Sequence, residues 1–99
     1  MVVPSVVLAE LYRGRGHNQL VDACLAREAS SLDTRDTDRP LAQIVGGVLA
    51  GAGARSAMIV DAHVVAVAVE AGGGVVITGD PDDLQRLSAP YPHIVVEGV

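Results

Sequence analysis

The sequence predicts an α/β fold with a parallel sheet flanked by helices, and three observations carry that expectation. Val75-Val76-Ile77 is a β-branched run without alternation, which suits a strand buried on both faces of a parallel sheet. The run ends in Thr78-Gly79-Asp80, and Pro81 follows where the first turn of a helix tolerates it. From Asp38 onward, helix-like and strand-like patterns alternate, as parallel sheets require. Asp80 then stands just beyond a strand's carboxyl end, where open α/β sheets bind ligands. Asp80, Asp82 and Asp83 crowd into four positions there.

The remaining elements follow from spacing. Met1 to Val3 read as extended, and Pro4 suits a helix's first turn. Ser5 to Arg13 form a first helix with Val7, Leu8 and Leu11 on one face, stopped by Gly14-Arg15-Gly16. Asn18 caps a second helix that runs to about Glu28. A short edge strand is expected within Ser30-Ser31-Leu32-Asp33. Asp38 caps a third helix over Arg39 to Ala50, with Leu41, Ile44, Val45, Val48 and Leu49 at helical spacing. Ile59 to Ala71 form a fourth helix, apolar nearly all round and therefore buried, ended by Gly72-Gly73-Gly74. Pro81 to Ser88 form a fifth helix and His93 to Glu97 a last strand. Two clear strands are few for a parallel sheet. Either another chain completes the sheet or a strand is missing from this one.

Composition bounds the rest. The chain has 99 residues, one small domain's worth. Hydrophobic residues make up 49%, with no Trp, no Phe and two Tyr, so Ala, Val, Leu and Ile build the core. The formal net charge is -5, and all seven basic residues are Arg. Such a balance carries no broad electrostatic footprint for nucleic acid, and a polyanionic substrate would need a bound cation or a local Arg patch. The single cysteine, Cys24, excludes an internal disulfide framework and fits a reducing compartment. No apolar run approaches membrane-spanning length and no leader pattern opens the chain, so a cytoplasmic protein without membrane contact is expected.

Chemistry concentrates in few residues. Asp61 lies in an otherwise apolar helix with no Arg or Lys on that helix to neutralise it. It is either the cap of the helix or a charge seeking a cation or a group from elsewhere in the fold. Asp80 precedes Pro81 as a capping residue would, and Asp83 follows like a capping-box partner, while Asp82 and Asp83 suit a helix start. A cap can also face a metal. Glu10 lies three residues before Arg13, and Thr78 offers a hydroxyl at the strand's end. Arg13 and Arg15 either complement a helix terminus or contact phosphate. His17, His63 and His93 show no metal-ligand spacing and read as structural. The glycine-rich stretches lack a P-loop Lys, no GxGxxG follows a strand, and Asp33 to Asp38 lack the glycine and closing Glu of a calcium loop.

Taken together, Pro4-Ser5-Val6-Val7-Leu8-Ala9-Glu10-Leu11-Tyr12-Arg13-Gly14, then Asp61-Ala62-His63-Val64-Val65-Ala66, then Thr78-Gly79-Asp80-Pro81-Asp82-Asp83-Leu84 resemble a PIN domain. The likeness is greatest to the ribonuclease toxins of VapBC toxin–antitoxin pairs and runs over nearly the whole chain. It implies a three-layer sandwich with a parallel sheet and an acidic cluster binding Mg²⁺ or Mn²⁺. By resemblance, Glu10, Asp61 and Asp80 are the catalytic and metal-binding acids, Asp83 is an accessory acid, and Thr78 lies beside the site, with Arg13 and Arg15 near the RNA. The implied reaction is metal-assisted hydrolysis of RNA phosphodiester bonds. The implied partners are a small antitoxin with a basic or aromatic tail and a second copy of the chain, as a homodimer.

One part of the family pattern has no counterpart. PIN domains open with a strand that carries a first acidic ligand, followed by a helix, and nothing before Pro4 supplies these. Met58 also stands where some relatives carry an extra acid. The chain therefore reads as an N-terminally truncated PIN domain over residues 1–99. A catalytically incomplete remnant that binds an antitoxin or dimerises is the competing expectation. A phosphoacceptor domain built on Asp80 would need a Lys at another strand end, and the chain has none.

Overall fold

The structure, a computed structural model, describes residues 2–12, 22, 26, 33–78 and 81–98, with Glu10 and Leu11 described by backbone alone. The chain is α/β, with short parallel strand pairs, and divides into two compact units, Met1–Thr37 and Asp38–Val99.

In the first unit, strand β1 (Val2–Pro4) pairs in parallel with β2 (Asp33–Arg35), Val3 lying opposite Thr34. Pro4 is the N-cap of helix α1 (Ser5–Leu11), with extended angles of φ -60° and ψ 140°. It thus precedes the first helical turn expected to contain it. Helix α1 ends at Leu11 rather than Arg13, and the Tyr12 N–H closes it on the Leu8 carbonyl at 2.9 Å. The expected edge strand falls a few residues later than Ser30, at Asp33. The second expected helix, apart from the helical residues Asp22 and Ala26, lies outside the described residues, as do Arg13 and Arg15.

The second unit holds a core built almost wholly of aliphatic side chains. Helix α2 (Arg39–Ala52) starts where its sequence directs: the Asp38 side chain accepts from the Leu41 N–H at 3.0 Å, and Pro40 occupies the first turn. Such a cap contributes about 1 kcal/mol. Leu41, Val45 and Val48 form its buried stripe. A 3₁₀ turn (Ser56–Met58) leads into α3 (Ile59–Glu70), against which α2 packs most extensively. Ala62, His63, Val65, Ala66 and Val67 of α3 are buried, as its apolar circumference predicts. Strand β3 (Gly74–Thr78) follows, then helix α4 (Pro81–Ser88), then β4 (Ile94–Gly98), which pairs in parallel with β3. Leu84 and Leu87 of α4 and Ile94 of β4 complete the core.

Helices α2 and α3 end alike. After α2 the Gly53 N–H reaches the Ala50 carbonyl and the Ala54 N–H reaches that of Leu49; after α3, Gly72 and Gly73 do the same with Val69 and Ala68. Both ends are Schellman motifs, with Gly53 at φ 59° and Gly72 at φ 87°. Gly73 is further constrained, because a side chain there would meet the His93 carbonyl oxygen at 2.6 Å.

One expectation for β3 is overturned. Val76 is buried, but Val75 is 60% and Ile77 67% exposed. The helices cover one face, so β3 alternates inward and outward despite a sequence without alternation. Among the described residues each sheet has two strands. No helix among them is long and apolar enough to cross a membrane.

Candidate functional site

Local geometry gathers several of the singled-out residues at one end of the second unit. Helix α3 stops at Glu70 and β3 begins at Gly74, so the chain reverses over three residues and the helix runs back along the strand. Twelve helical residues rise about 18 Å and five strand residues about 16 Å. The first turn of α3 therefore lies level with the carboxyl end of β3. Asp61 is in that turn, Thr78 is the last residue of β3, and Asp82 and Asp83 open α4 immediately beyond.

Asp61 is half-buried and makes polar or electrostatic contact, as does Thr78. The structure separates the two sequence readings of Asp61. Met58, not Asp61, holds the N-cap position, so Asp61 is not the capping residue. Nor is it a charge stranded in apolar core. It occupies the third helical position, where exposed backbone N–H groups and the macrodipole favour a carboxylate by about 0.3–1 kcal/mol. Asp83 is half-buried and Asp82 exposed, and both gain the same kind of support at the start of α4. Asp80 lies outside the described residues. Glu10 belongs to α1 of the first unit, its side chain outside the described atoms.

The donors at this end, Asp61, Asp83 and the Thr78 hydroxyl, are hard oxygens of the kind that Mg²⁺ and Mn²⁺ accept. Among the described residues no three His, Cys, Asp or Glu stand close enough together to hold a metal ion.

The other polar residues separate from this end. His63 is buried, 4% exposed, and its Nδ1 lies 2.7 Å from the Ile59 carbonyl oxygen. A bond to a carbonyl oxygen requires the proton on Nδ1, and Nε2 is buried with no hydrogen-bond partner among the described residues. His93 lines an apolar cleft of about 210 Å³ with Val69, Gly73, Tyr91 and Pro92. This cleft is at the amino ends of β3 and β4, away from Asp61 and Thr78. Arg86 of α4 donates to the Ala52 carbonyl at 3.2 Å, where a cation suits the end of α2.

One polar pair had no sequence signal. The Tyr12 hydroxyl donates to Asp22 Oδ1 at 2.6 Å, ten positions away, in the first unit. That hydrogen bond, with desolvation and the carboxylate's charge adding to it, raises the phenol above its ordinary 10.0. Helical spacing does not relate two residues on separate segments.

No protein-family model, curated protein or solved structure matches this chain.

Proposed function

We propose that this chain is a Mg²⁺- or Mn²⁺-dependent endoribonuclease of the PIN type, the toxin of a toxin–antitoxin pair. The observation that supports this reading best is Asp61, in the first turn of a buried helix at the same end as Thr78 and the acidic start of α4. The sequence resemblance supplies the rest.

By the sequence resemblance, Glu10, Asp61 and Asp80 would hold the cation, with Asp83 as an accessory. A cation held there would supply Lewis acidity toward the phosphate. The chain's own residues set the stage. Asp61 and Asp83 present carboxylates at helix starts, where the macrodipole favours negative charge. The Thr78 hydroxyl offers a hydrogen bond to a phosphate oxygen, and Arg13 and Arg15 offset the repulsion between an RNA backbone and a chain of charge -5.

The test is cleavage of a structured RNA mixture with Mn²⁺ or Mg²⁺, with EDTA and Asp80→Asn as controls. Cleavage lost in both controls is the expected result. An intact RNA pool over a sample with native far-ultraviolet circular dichroism would refute the reading.

A second reading is a catalytically incomplete module that binds an antitoxin or dimerises. It is favoured by Val75, Ile77 and Val95, aliphatic side chains that the second unit leaves exposed.

A further inference from the structure

We draw no further inference here: the strongest candidate, the apolar cleft that Val69, Gly73, Tyr91, Pro92 and His93 line at the amino ends of β3 and β4, carries none because nothing in the structure shows what covers it.

Discussion

Helices α2 and α3 pack together, have similar lengths and end in the same motif, yet the chain specifies them by different means. Helix α2 is written locally. It has a side-chain cap in Asp38, a proline in its first turn, a buried stripe at Leu41, Val45 and Val48, and a solvent face containing Gln43, Gly46 and Gly47. Helix α3 has no side-chain cap hydrogen bond at Met58 and no polar face, and five of its twelve residues are buried. Its helicity comes from being enclosed. A locally specified helix tolerates change on its outside, whereas each polar group in an enclosed one needs a partner from its own backbone or its neighbours.

Three substitutions sharpen this contrast. The largest effect is expected at the end of the enclosed helix. Gly73 holds φ 128°, and a side chain there would collide with backbone at His93. Gly73→Ala should cost at least about 2 kcal/mol, read as a fall in the urea midpoint. An unchanged midpoint would show that the turn after α3 yields, against the idea that enclosure fixes it. Next comes His63→Leu. It removes a buried polar atom without a partner among the described residues and should stabilise the fold by about 1 kcal/mol. A lower melting temperature would mean that the imidazole is better satisfied than its described surroundings indicate. The smallest effect belongs to α2. Gly46 is helical and exposed, and a side chain there meets nothing within 4 Å. Gly46→Ala should therefore add about 0.5–1 kcal/mol through helix propensity alone. Destabilisation in thermal melts would show that this face of α2 is not free.

The same contrast explains what could be read in advance. Asp38, the stripe of α2, the enclosed α3 and its glycine stop are patterns within one element, and each was legible. Strand β2 was legible only loosely, because Asp33-Thr34-Arg35 has no apolar alternation and owes its conformation to pairing with Val2–Pro4. The outward exposure of Val75 and Ile77 was hidden, since a Val-Val-Ile run is the same whether one face is covered or both. At the candidate site, the placing of Asp61, Thr78 and Asp83 at one end follows from helix–strand order and could be anticipated. The choice for Asp61 between capping the helix and standing in its first turn was not legible, because Asp is favoured at both positions.

The two Schellman ends carry one more consequence. Gly53 and Gly72 hold backbone angles that belong to residues of the opposite chirality. A D-alanine introduced by chemical synthesis at either position would meet its own preferred conformation, where L-alanine would be strained. What stops these helices is therefore a demand for handedness, met in a ribosomal chain by the one residue that has none.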